Sequence, residues 1–271
     1  MIVMIIIPVL FYLDIRTCSA FHNFQAGSRA AAMGNAAITS SDLWSLYHNQ
    51  AGLASMHTVH AGFHYENRFL VPELGFHALA LAFPARPGTI GIGYSHFGFS
   101  GYHENKLGLA FARLYGKKFA TGIRINYLHR FIAGGYGRSG RLLVEGGITV
   151  QPFEGVVVAA HIYNPAGAKM ADNHNRSLPV ITRIGISKLS GENLLVAAEI
   201  EKEQDSKVVF RTGLELGFSG PFYLRCGLGT RPVQTCFGMG YTTGKLSADM
   251  AFTNHRILGF SPHITVSYII G

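Results

Sequence analysis

From about residue 57 onward the chain is a succession of short segments in which apolar and polar residues alternate, separated by Gly, Pro, Asn or charged turns. Such segments, about fourteen of them, lie near 57–66, 74–84, 88–98, 104–115, 118–131, 141–151, 155–164, 180–190, 193–202, 207–219, 221–230, 233–242, 245–253 and 259–270. A period of two puts successive side chains on opposite faces of a strand. Leu142, Val144, Ile148 and Val150 therefore oppose Glu145, Thr149 and Gln151, and Leu194, Val196, Ala198 and Ile200 oppose Glu199 and Glu201. Likewise Val208, Phe210, Leu214, Leu216 and Phe218 oppose Arg211, Gly213, Glu215 and Gly217, and Leu246, Ala248, Met250 and Phe252 oppose Ser247 and Asp249.

The same alternation would suit a soluble sandwich with its apolar face inside. Strand number argues against that: a closed barrel of about fourteen strands is too wide for its own side chains to fill. Mean hydropathy is slightly positive, yet past residue 20 no apolar run reaches the roughly 18–20 residues of a membrane-spanning helix. A membrane chain without such helices has a closed barrel as its remaining option. The expected fold is all-β, a transmembrane antiparallel β-barrel in the cell outer membrane.

A charge facing lipid at mid-depth costs about 2–4 kcal/mol, so the polar faces must line the lumen. That rule collects Arg124, Glu145, Arg183, Glu199, Glu201, Arg211, Glu215, Arg225 and Asp249 inside, a set of mixed sign that can neutralise itself. Glycines at Gly91, Gly93, Gly147, Gly185, Gly213, Gly227, Gly238 and Gly240 share the lumen side and leave room for something inserted. The candidate is the Ala- and Gly-rich stretch Ala26 to Ala54, which holds the only tryptophan and has too little apolar bulk to form a core alone. The chain thus divides into a leader (1–20), an N-terminal plug (21–56) and a barrel (57–271).

The leader, with IVMIIIPVLFYL followed by Cys18-Ser19-Ala20, reads as a signal peptide cleaved before Phe21, although no Lys or Arg precedes its apolar core. Cys226 and Cys236 remain; parity turns Cys226 to lipid and Cys236 to the lumen, so two free thiols are expected. Room for sizeable loops exists near 97–104, 131–141 and 165–179. Tyr102, Tyr115, Tyr127, Phe131, Tyr163, Phe222, Tyr241 and Tyr268 suit interfacial girdles.

The formal charge of +8 is dispersed, which excludes a nucleic-acid module and suits contact with anionic lipid, lipopolysaccharide included. Thirteen histidines raise the question of metal. His57, His60 and His64 do not keep to one face, and no HExxH or CxxC spacing occurs, so neither a metal nor another cofactor is expected. A lipid hydrolase would need an exposed Ser, with Ser95 of Tyr94-Ser95-His96 the candidate, beside a His; no third catalytic member can be placed and no catalytic residue is assigned.

Gly27-Ser28-Arg29-Ala30-Ala31-Ala32-Met33-Gly34-Asn35-Ala36, then Asp42 and Asn49-Gln50-Ala51-Gly52-Leu53, resemble the GARAxxMGGA opening and NPAGL motif of FadL/TodX-superfamily outer-membrane proteins, specifically the PorV/PorQ-like members of the Bacteroidetes. Asn35 stands where that family has glycine, and Gln50 where it has proline. The resemblance implies fourteen strands around an N-terminal hatch whose motif residues are Gly27, Arg29, Met33, Gly34, Asp42, Asn49, Ala51, Gly52 and Leu53. It also implies a non-enzymatic accessory role in type IX secretion with other envelope proteins as partners. The alternatives are a passive FadL-like uptake channel for small hydrophobic compounds and, third, an outer-membrane lipid hydrolase.

Overall fold

The computed structural model describes residues 24–135, 137–170, 178–204, 206–218 and 220–270. The expected signal peptide, with Cys18, and part of the expected loop at 165–179 lie outside the described residues. The strands are β1 Val59–Asn67, β2 Gly75–Ala85, β3 Gly88–Phe99, β4 Tyr102–Tyr115, β5 Phe119–Ile132, β6 Gly137–Phe153 and β7 Val156–Tyr163. They continue as β8 Ile181–Ser190, β9 Leu194–Glu203, β10 Val209–Gly217, β11 Phe222–Thr230, β12 Val233–Thr243, β13 Leu246–His255 and β14 Gly259–Ile270. Each pairs antiparallel with its sequence neighbours, and β1 closes on β14 from Val59–Ile270 to Glu66–His263.

Parity decides the wall. Leu142, Val196 and Phe210 are exposed on the outer surface, whereas Arg124, Glu145, Arg183, Glu199, Glu215, Arg225 and Asp249 are buried. Glu201 and Arg211 are half-buried on the same inner side. Cys226 is exposed, Cys236 is buried, and both are free. Tyr163 departs from the girdle expectation: it lies inward and buried, with the Lys106 ammonium 5.8 Å from its ring centre.

The two ends differ. Turns such as 86–87, 116–118, 154–155 and 244–245 join strands at one end, and the strands that flank 68–74, 133–136, 164–180 and 204–208, longer stretches of sequence, end at the other. Long loops mark the extracellular side of such barrels. Two connections are shorter than the alternation suggests: β3 and β4 are joined by Ser100-Gly101 alone, and β6 already begins at Gly137, because ladder pairing recruits the flanking residues. Above the Glu145–Tyr163 pair β7 stops. Met170 and Leu178 of the 164–180 connection fill the place it leaves, packed with Leu128, Leu143 and Ile181. Asn164, at φ 53, turns the chain there and donates from Nδ2 to the Leu178 carbonyl at 3.0 Å.

Residues from Phe24 to Met56 lie inside the barrel, nearly all of them buried. This inner segment has a short helix, Ser28–Ala32, and two 3-10 turns, Leu43–Tyr47 and Gln50–Ser55. Asp42 starts the first turn by accepting from the Trp44 and Ser45 amides, and Asn49 starts the second by accepting from the Ala51 amide. Asn35 has φ 61, the left-handed conformation that asparagine tolerates.

Candidate functional site

The bore has two unlike sides. On β2–β4 the inward residues from mid-barrel to the short-turn end are mostly small and apolar, Ala78, Ala80, Ala82, Gly91, Gly93, Ala110 and Ala112, while Ser95, Glu104 and Lys106 face inward nearer the long-loop end. Phe24, Leu46, Leu53 and Met56 of the inner segment pack there in a continuous apolar cluster. At its long-loop end Phe24 lies 5.1 Å from Phe76 and 4.5 Å from Phe97 between ring centres, with the Arg68 guanidinium 4.4 Å above the Phe24 ring. At the other end Met56, Ala82 and Ala112 complete the stripe. Tyr47 adds a polar contact, donating its hydroxyl to the Leu79 carbonyl at 2.7 Å.

The opposite side is ionic and holds the inner segment by hydrogen bonds. Arg29 meets Glu215 through Nε–Oε2 at 2.6 Å and Nη2–Oε1 at 2.8 Å, and reaches Asp42 through Nη1 at 2.8 Å. Arg225 joins the same Glu215 to Asp249, each at 2.6 Å. Glu199 accepts from the Ala37 and Ile38 amides at 3.0 and 3.2 Å. Arg183 and Arg211 pair with Glu201 at 2.6 and 2.9 Å. Between the two sides, Arg124 of β5 lies 3.6 Å from Glu145, donates to the Leu46 carbonyl at 2.8 Å and reaches over Gly93 and Gly108 of β3 and β4. The nine expected lumen charges thus fall into a pair, Arg124 with Glu145, a group of four, Arg183 and Arg211 with Glu199 and Glu201, and a triad, Arg225 with Glu215 and Asp249.

The motif residues occupy distinct places. The Met33–Gly34 backbone lies against Gly213 and Gly227 so closely that a Cβ at either glycine would collide with it. Gly27 and Gly52 face Trp44 and Ser45 respectively, and Leu53 faces Gly91. Asn49 donates to the Ile38 carbonyl at 2.9 Å and the Ile148 carbonyl at 3.2 Å; the neighbouring Ala51 is buried. Gln50 donates to the Leu46 carbonyl at 3.1 Å. His48, buried and donating from Nε2 to the Ala26 carbonyl at 2.8 Å, has its pKa lowered to about 4 by burial and by the nearby Arg183 charge, against the Ala26 bond.

Between Arg29, Asp42 and Trp44 on one side and β1 and β10–β14 on the other lies a cavity of about 570 Å³ at the short-turn end, with Met56 at its edge. Sequence reasoning missed several bore residues, His64, Glu66, Glu104, Lys106, Arg130 and His263 among them. Ser95 is buried on the bore side of β3, while His96 holds the opposite face, so the pair expected of a surface hydrolase does not converge.

No protein-family model and no curated protein matches the sequence. Solved structures do match. The toluene transporter TbuX of Ralstonia pickettii superposes with a TM-score of 0.69 at 12% identity, over 90% of this chain and 98% of the transporter. A Pseudomonas aeruginosa FadL homologue gives 0.66 at 11%, over 90% and 98%. The P. putida toluene transporter TodX gives 0.65 at 10%, also over 90% and 98%. The chain has the fold of the FadL and TodX barrels. At these identities the likeness is one of fold; the closed barrel with its apolar outer surface is what suits the outer membrane.

Proposed function

We propose that the protein is a passive outer-membrane channel for small hydrophobic compounds, closed at rest by the inner segment. The observation that carries this reading is the two-sidedness of the bore. Hydrogen bonds to a charged group contribute about 1.5–3 kcal/mol, so the inner segment is held where Arg29, Ala37 and Ile38 meet the carboxylates of β9 and β10. Parting it from the alanines of β2–β4 breaks the Tyr47 bond to the Leu79 carbonyl and otherwise exposes mainly apolar surface, which an apolar solute covers again. The stripe leads from the Phe24–Phe76–Phe97 cluster to Met56, which also borders the short-turn cavity on the β10–β14 side.

The route is axial. β2 pairs with β3 from Phe76–Phe97 to Ala85–Gly88, and β3 with β4 from Thr89–Ala112 to Phe99–Tyr102, without interruption, so a lateral opening on this side has no support. The toluene transporters of the same fold lend the solute class. The test is uptake of labelled toluene by Gram-negative cells with and without the protein: faster entry is expected with it. The accessory role in type IX secretion rests on the resemblance at residues 26–54 alone. Stoichiometric protein partners after purification in mild detergent, with no gain in toluene entry, would replace the channel reading by that one.

A further inference from the structure

Where the last strand closes on the first, three ligand-type side chains converge in the bore. Glu66 of β1 stands directly opposite His263 of β14, and His64, two residues earlier on the same face, stands opposite Thr265. All three are buried, and one ligand atom from each lies within 4.8 Å of the others. The imidazoles lie 5.8 Å apart, centre to centre. The Glu66 Oε2 to His263 Nδ1 distance is 3.9 Å, too long for a hydrogen bond.

Each histidine has one nitrogen occupied and one without a hydrogen-bond partner. His64 Nδ1 lies 2.8 Å from the Thr265 hydroxyl, and His263 Nε2 lies 3.1 Å from the Thr253 hydroxyl. His64 Nε2 and His263 Nδ1 are buried and unpartnered. Thr265 already accepts from the Ser28 amide and sits 2.8 Å from the Ser28 hydroxyl. If it also accepts Nδ1–H from His64 and gives its own proton to Ser28, every bond in the group is satisfied and the His64 Nε2 lone pair faces Glu66 and His263. A hydroxyl holding the rear nitrogen while the front one waits is how proteins orient metal-binding imidazoles.

We propose that His64, Glu66 and His263 bind one divalent ion, with Zn²⁺ the best match to two imidazoles and a carboxylate. Zinc takes such ligands at about 2.0–2.2 Å in tetrahedral geometry. Side-chain rotation of His64 and His263 supplies the closure required, and a fourth position stays open. Arg68 holds Glu66 through Nε–Oε1 at 2.7 Å and more loosely through Nη2–Oε2 at 3.3 Å, and it is Oε2 that turns to the ion in place of the longer bond. The ion clasps β1 to β14 and, through Thr265 and Ser28, steadies the start of the inner segment.

The test uses full-length, untagged protein in detergent, stripped with chelator, titrated calorimetrically with ZnCl₂ and separately by absorbance with CoCl₂. One zinc per chain and the intense visible bands of tetrahedral Co²⁺ are expected. His64→Gln and His263→Gln should each weaken zinc binding at least about tenfold, and Thr265→Val by about 10–100-fold. His96→Asn, on the outer face, should leave binding unchanged. Absence of stoichiometric zinc, or binding lost with His96→Asn and kept with His64→Gln, would overturn the assignment. If a bore variant fails to fold, the Co²⁺ spectrum of the unmodified protein still decides, since octahedral bands alone would contradict the site.

Discussion

Arg29 of the inner segment and Glu215 of β10 form a two-point ion pair, with Nε–Oε2 at 2.6 Å and Nη2–Oε1 at 2.8 Å. Arg225 binds the same carboxylate from the neighbouring strand and carries the contact on to Asp249. The inner segment is thereby ion-paired to one side of the wall, and the side proposed for solute, β2–β4, holds it by apolar packing and by the Tyr47 hydroxyl on the Leu79 carbonyl.

Arg29→Met and Glu215→Gln should each lower Tm and raise the rate of hydrophobic uptake, because each frees the anchor. A double-mutant cycle on denaturant stability should give a coupling energy of about 1–3 kcal/mol, since the two groups share one bidentate contact. Additive effects would mean that the pair does not hold the segment.

Gly227→Val should unseat the inner segment. A Cβ at Gly227 meets the Gly34 amide and the Met33 carbonyl carbon, backbone atoms that cannot turn aside. Gly146→Ala, whose Cβ meets only the Gly122 carbonyl at 3.4 Å, should be tolerated. Trp44, the only tryptophan, reports the difference: its emission should shift to the red in Gly227→Val and stay in place in Gly146→Ala.

Acid should loosen the segment through His48. Its pKa falls from 6.5 to about 4 when buried, so the seated state disfavours the charged imidazole. The contribution is complete above pH 6.5 and is lost as pH falls from 6.5 to about 4, by at most about 3 kcal/mol. Arg183 and His161 add to the effect, while Asp42 and the Ala26 carbonyl oppose it. Trp44 fluorescence followed from pH 8 to 4 should show the transition, and His48→Gln should flatten it.

Much of this architecture was legible in the alternation of single strands. Glu145 beside Val144 and Glu199 beside Ala198 already state which face meets lipid, because a misplaced charge costs more than any packing gain. The Ala- and Gly-rich composition of residues 26–54 likewise called for a surrounding core. Pairings between the inner segment and the wall, and across the barrel closure, were not legible. Arg29 and Glu215 are 186 residues apart, and His64 and Thr265 are 201 apart. Only the register with which β1 meets β14 brings His64, Glu66 and His263 together, and no local spacing encodes that register. Tyr163 was misread for a related reason: its aromatic type suits an interface, but its parity follows Glu145, its ladder partner, into the bore.

The most direct test compares one bulky substitution on each side of the bore. Ala80 on β2 and Ala159 on β7 are both buried alanines of the inner face, the first in the apolar stripe and the second outside it. In folded barrels, Ala80→Phe should cut toluene uptake at least about tenfold while Ala159→Phe leaves it near the unmodified rate, a barrier difference of about 1.4 kcal/mol or more. Equal uptake by the two variants, or uptake no faster than in cells without the protein, would contradict a path along β2–β4.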